Sequence, residues 1–355
     1  MDNSSLFYLV VACAAIVLFF DWTNGFHDAS NILGPIVASR AMTPVQAVIV
    51  VACFELAGPV IAGTAVANTI GKFITMGDLN PMVSVGIVLT GLIGSIFWNL
   101  LTWWFGLPSS SSHALVGGLM GSCIAGAGAD HVNWGIDAMM KGKMDGVVKI
   151  VVSLIGSPIL GFWVGFAMYR FISVLFIKAT PAANMGLKKV QFLSAAALSF
   201  SHGSNDAQKS MGILTLVLWL GGYLTLESGQ KFPTVPTWVI YACAGMITLG
   251  ILSGGWRIVR TIGFAIFKVR PIHAVCTQTT AGGLLFAGAV FGFPMSTTHV
   301  VSSAIMGIGA SDRPKAVRWA KAKEIVSTWI ITIPSSAFVS YITYVLVAWW
   351  FGISK

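Results

Sequence analysis

Charge is what this sequence has least of. Asp, Glu, Lys and Arg make up 9% of its 355 residues, against about 25% in an ordinary soluble domain. That shortage excludes a soluble enzyme with a solvated charged surface. Cysteine is scarce too. The five present (Cys13, Cys53, Cys123, Cys243, Cys276) sit inside apolar runs without framework spacing. This excludes a disulfide scaffold and reads them as small buried apolar residues. No basic stripe with interleaved aromatics exists, so no nucleic-acid partner is expected. No His-x-x-x-His pair offers transition-metal spacing. Met1-Asp2-Asn3 lacks the basic start of a cleavable signal, so the first apolar helix is expected to stay.

What the sequence has is apolar length. Apolar residues make up 56% and mean hydropathy is +0.83, which excludes a disordered chain. A spanning helix takes about 20 residues, leaving room for roughly ten crossings. The fold class is an all-α polytopic membrane protein. The net charge of +9 falls in clusters between apolar runs: Lys141 to Lys149, Lys188 with Lys189, Lys268 with Arg270, and Arg313 to Lys323. These read as orientation signals. Two apolar runs, 110–129 and 296–310, are too short to cross comfortably and start with hydroxyl residues. They read as re-entrant half-helices, tolerated only where their backbone is buried in protein or lines a cavity.

The sequence repeats itself. Gly25-Phe-His-Asp28-Ala-Ser-Asn31 matches Gly203-Ser-Asn-Asp206-Ala-Gln-Lys209. Pro108-Ser-Ser-Ser-Ser-His113 matches Pro294-Met-Ser-Thr-Thr-His299. A weaker match sets Gly63–Gly71 against Gly255–Gly263, both ending Thr-Ile-Gly. Three matches in one order at nearly one offset imply two repeats, 1–180 and 190–355, joined by a polar linker at 181–189. Duplicated membrane halves with interrupted segments are a transporter pattern, and the interruptions point to the binding site.

Seven acids (Asp2, Asp78, Asp130, Asp137, Asp145, Glu227, Asp312) fall between apolar runs and read as solvated. Five (Asp21, Asp28, Glu55, Asp206, Glu324) fall inside them. A carboxylate at mid-bilayer costs about 2.5–3.5 kcal/mol on insertion scales, so it persists paired, protonated or bound to a cation. The expected cation ligands are Asp21, Asn24, Asp28, Asn31, Glu55, Asn205, Asp206 and Glu324, with Ser30 and Gln208 as further neutral donors. Helix breaks after Asp21 and around Gly25 and Gly203 would add backbone carbonyls. The expected oxyanion ligands are Ser110, Ser111, Ser112, Ser296, Thr297 and Thr298, at two half-helix N-termini, together with Asp28 and Asp206. Carboxylates beside an anion need a cation between them, or an anion that brings its own proton. Phosphate carries such a proton and sulfate does not. The neutral oxygens favour Na⁺ over H⁺. A proton-coupled phosphate or sulfate permease is the alternative.

Lys209 adds a charge or snorkels to an interface. His27, His113, His202 and His299 lie in or beside the motifs and read as proton relay or support. No cofactor beyond the coupling ion is expected. An intramembrane enzyme built on Ser112-His113 or Thr298-His299 is the competing class, but its nucleophile-base pairing is poor, because adjacent helical residues do not face each other.

These motifs resemble the duplicated signature of the inorganic phosphate transporter (PiT) family, whose usual form is Gly-Ala-Asn-Asp-Val-Ala-Asn. The hydroxyl-His motifs and the Glu55 segment fit as well, so the resemblance covers essentially the whole chain. It implies a sodium- or proton-coupled phosphate symporter in the cell membrane, with inverted repeats, two re-entrant hairpins and a homodimeric assembly. His27 and Lys209 stand where the signature has Asn.

Overall fold

A computed structural model describes residues 3–351; Asp2 lies outside them. The chain is helical, with no strand among the described residues. The first half holds α1 (Asn3–Ser39), α2 (Pro44–Ile61), α3 (Ala65–Gly71), α4 (Pro81–Trp104), α5 (Ser111–Gly126), the short α6 (Ile136–Met140) and α7 (Gly146–Leu175). The second half holds α8 (Ala182–Leu220), α9 (Thr237–Ser253), α10 (Trp256–Arg260), α11 (Pro271–Phe291), α12 (Thr297–Asp312) and α13 (Trp319–Phe351). Apart from α6, the two halves present the same order of long, medium, short, medium, half-length and long helices.

Local chemistry sets the boundaries. Thr43 and Gln46 form a capping box with Pro44 opening α2, Asn80 caps α4 ahead of its Pro81, and Asp145 caps α7. Such side chains satisfy the free N–H groups of a helix start. Six described helices are long and apolar enough to cross a bilayer, or seven if α9 and the segment Trp256–Ala265, bent by 62°, form one broken span. The 39-residue α8, whose middle carries the second polar motif, is not among them.

Antiparallel packing of α1 and α8 organises the molecule. The Ser39 hydroxyl donates to Gln191 at 2.7 Å, and the Ser210 hydroxyl donates to Asp21 at 2.7 Å. Around this pair contacts are reciprocal: α2 packs on α8 and α9 on α1, while α7 packs on α12 and α13 on α5. The motif glycines allow this closeness. A Cβ on Gly25 would run into the Ile247 carbonyl of α9, and one on Gly203 into the Glu55 carbonyl of α2. One apolar core gathers Val10, Cys13, Val17 and Phe20 with Met211, Ile213 and Leu214. A second gathers Ala29, Ile32, Leu33 and Ile36 with Ala195 and Leu198. The polar residues of both motifs form a belt between the two cores.

Three expectations are corrected. Helices α1 and α8 run unbroken through Asp21, Gly25 and Gly203, because those glycines serve close packing rather than unwinding. Of the expected linker at 181–189, residues 182–189 are helical and form the first turns of α8. Cys53 is exposed on α2, while the other four cysteines are buried.

Candidate functional site

Two matching turns deliver the half-helices. Helix α4 ends at Gly106 with φ 67, and α11 ends at Gly292 with φ 68. This left-handed conformation suits glycine. A proline follows two residues later in each case (Pro108, Pro294), and then a serine caps the next helix. Ser110 accepts from the His113 N–H at 3.2 Å, and Ser296 from the His299 N–H at 3.3 Å. At 16 residues each, α5 and α12 are about 24 Å long, short of a crossing. Their first turns meet: the His113 and His299 rings lie 4.4 Å apart, and the Trp329 ring lies 4.1 Å from that of His299, tilted by 34°. Two positive helix ends therefore converge on the polar belt.

The carboxylates come from α1, α2 and α8. Asp28 Oδ1 accepts from Asn31 at 3.1 Å and from Thr298 at 3.2 Å, with His27 Nδ1 also at 3.1 Å. Asn31 donates to Thr298 as well, at 2.9 Å. Asp206 Oδ1 accepts from Thr297 at 3.2 Å and from the Lys209 ammonium at 2.9 Å. His202 sits between the acids. Its Nδ1 is 2.6 Å from Glu55 Oε1, and its Nε2 is 3.8 Å from Asp28 and 3.7 Å from Asp206. Asp21 accepts from Ser210, and all four acids are buried.

Six buried oxygens in this belt accept no hydrogen bond. They are Asp21 Oδ2, Asn24 Oδ1, Asn31 Oδ1, Glu55 Oε2, Asn205 Oδ1 and Asp206 Oδ2. Such atoms are costly where no donor or cation meets them. The Ser111 hydroxyl is buried without a partner too. Asn31 and Asn205 have definite orientations, because their Nδ2 groups are committed to Asp28 and to the Phe293 carbonyl.

The structure thus gathers the expected ligands with specific exceptions. Glu324 is not among them. It lies in the exposed first turns of α13, ion-paired to Lys321 at 2.6 Å, because the apolar run it was assigned to begins as a helix end. Ser30 bonds the His27 carbonyl. Gln208 accepts from the Val66 N–H at the start of α3. Both are spent on backbone groups rather than on an ion. Lys209 does not snorkel; it is 1% exposed. Asp312 is not freely solvated: Tyr169 donates to it at 2.6 Å and His273 lies 3.4 Å away. The central place of His202 was missed, although its i,i+4 spacing to Asp206 is legible. Ligand atoms of Asp28, His202 and Asp206 all lie within 4.8 Å of one another.

The phosphate transporter family matches residues 24–340. A protein of Rhizobium meliloti (strain 1021) described as a "Probable low-affinity inorganic phosphate transporter" is 40% identical over 346 residues, covering 97% of this chain and 98% of that one. One of Bacillus subtilis (strain 168) with the same description is 40% identical over 337 residues, covering 95% of each. A solved structure titled "The sodium-dependent phosphate transporter" superposes with a TM-score of 0.83 at 23% identity, covering 96% of this chain and 99% of that one. At that identity the likeness speaks to the fold.

Proposed function

Because this chain belongs to the phosphate transporter family, and is thus a multi-pass membrane phosphate transporter rather than an enzyme, we propose that it couples phosphate to Na⁺ in symport by alternating access. The observation that carries the choice of ion is the set of six buried oxygens without donors. A proton could satisfy the carboxylates among them. It cannot satisfy the amide oxygens of Asn24, Asn31 and Asn205, which do not titrate. A monovalent cation with oxygen ligands serves both kinds.

Charge points the same way. Four buried acids share the belt with one lysine, Lys209. A phosphate anion adds to that excess, so its binding favours cation binding beside it. The phosphate itself would lie at the paired starts of α5 and α12, where Ser111, Ser112, free backbone N–H groups, and Thr297 and Thr298 on turning from the carboxylates they donate to, supply donors. The caps Ser110 and Ser296 hold those starts in shape. Phosphate's own proton can be donated to a carboxylate such as Asp28 or Asp206. Sulfate lacks that proton, so this site would disfavour it.

Antiparallel α1 and α8 occupy the same place in their two halves, which supports inverted repeats rocking about the central belt. The family resemblance extends the proposal to a homodimer. The sodium dependence stated for the similar solved structure accords with the choice of Na⁺.

Proton coupling is the second reading, favoured by His202 within 3.8 Å of three carboxylates. Uptake of labelled phosphate into proteoliposomes separates the two. An inward Na⁺ gradient at equal pH should drive accumulation, and excess sulfate should not compete. Accumulation driven only by a pH gradient would establish the second reading.

A further inference from the structure

The two polar motifs differ at one position whose partners are otherwise equivalent. Three residues after Asp28 stands Asn31, and three residues after Asp206 stands Lys209. Asn31 reaches from α1 to its own carboxylate and to Thr298 on α12. Lys209 reaches from α8 to its own carboxylate and to Ser112 on α5. Ser112 and Thr298 are themselves equivalent in the Ser/Thr-His motifs. Both halves thus build one contact, from a motif helix to the facing half-helix, but one half builds it with a neutral amide and the other with a charge.

The surroundings of that charge are those of a bound cation. The Lys209 ammonium has three N–H donors. It meets three oxygens: Ser112 Oγ at 2.6 Å, Asp206 Oδ1 at 2.9 Å and the Met295 carbonyl at 2.9 Å. One is a carboxylate, one a hydroxyl and one a backbone carbonyl from the turn before α12. The group is buried, and its four-carbon stem tethers it to α8. We infer that the Lys209 ammonium stands in for a dissociable cation on the second-half carboxylate. This half of the site therefore carries a permanent positive charge on Asp206 Oδ1 beside the anion, and dissociable cations serve the donor-free oxygens of Asp21, Asn24, Asn31, Glu55 and Asn205 and the other oxygen of Asp206. The inference rests on the reading of the belt as a cation site.

Replacing the tether tests it. Lys209→Asn restores the amide found in the first motif. Lys209→Gln places the same amide on a longer side chain, for the case where the shorter one leaves a destabilising void. Lys209→Met keeps the length but has neither charge nor oxygen. Phosphate binding to purified protein is measured by titration calorimetry in NaCl and in choline chloride, at one pH and ionic strength, on variants that elute like the wild type on size exclusion. An amide variant should bind phosphate about tenfold more weakly in choline than the wild type does, and recover in NaCl as Na⁺ takes the vacated position. The Met variant should be weakened about tenfold in both salts. The inference is overturned by wild-type affinity in Lys209→Met, or by an amide variant whose Na⁺ advantage equals that of the wild type. The Na⁺ advantage of the wild type itself reports on the coupling ion. The change in that advantage between wild type and variant reports on Lys209, so either result can fail without the other.

Discussion

Asp28 and Asp206 occupy equivalent positions but depend on different partners. Asp28 is held by neutral donors and His27, whereas Asp206 neutralises a buried lysine. Asparagine in either place removes a charge and keeps the shape, so Asp28→Asn and Asp206→Asn should each abolish coupled phosphate uptake in proteoliposomes. Their stabilities should differ. Asp206→Asn strands the Lys209 ammonium, and breaking a buried pair costs about 3–5 kcal/mol. Asp28→Asn should cost clearly less, and Lys209→Met added to Asp206→Asn should recover most of the loss. Denaturation of the purified proteins measures this; equal destabilisation by the two single changes would show that the ion pair contributes nothing. These two acids were legible in the sequence because a charge inside an apolar run demands a reason. Glu324 looked the same and is not the same, because hydropathy does not separate the first turn of a long helix from its middle. Lys209 and His202 were undervalued for a related reason: their roles come from groups on α2 and α5, far away in the chain.

At the level of elements, each half-helix owes its position to a left-handed glycine, a proline and a capping serine in fixed succession. Ser110→Ala and Ser296→Ala should each lower stability by about 1 kcal/mol, read from denaturation, with glycine costing only a fraction of that. The hydroxyls one and two residues further on face the belt instead. Ser111→Ala with Ser112→Ala, or Thr297→Ala with Thr298→Ala, should weaken phosphate binding by tens-fold or more, since each hydrogen bond to a charged group is worth about 1.5–3 kcal/mol. Calorimetric affinities within twofold of wild type would make these residues packing groups only. The half-helices were readable from their length and from the proline and hydroxyl residues at their starts. The helix breaks expected at Gly25 and Gly203 were not readable correctly, because glycine in a membrane helix signals either unwinding or close approach. Here the carbonyls of Ile247 and Glu55 fill the space a side chain would need.

Across the whole molecule, the inverted repeats proposed from antiparallel α1 and α8 would place equivalent loops on opposite sides of the membrane. Single cysteines at Met140, after α5, and at Lys315, after α12, in a background without Cys53, should react with a membrane-impermeant thiol reagent from opposite sides. Labelling of both from one side would contradict inverted repeats. The duplication was visible as three matched motifs in order. Its sense was not, because a short apolar run can be counted as a crossing or as a hairpin, and only the contacts of Ser39 with Gln191 and Ser210 with Asp21 fix the direction of the two long helices. In the proposed function, the belt of donor-poor oxygens beside two helix N-termini couples a cation to an anion. That coupling is tested most directly by titrating the wild-type protein with phosphate in NaCl and in choline chloride at fixed pH and ionic strength. Na⁺ should tighten phosphate binding about tenfold or more, and phosphate should tighten Na⁺ binding by the same factor, since linkage is reciprocal. Equal phosphate affinity in the two salts, with uptake driven by a pH gradient alone, would show that the proton is the coupling ion.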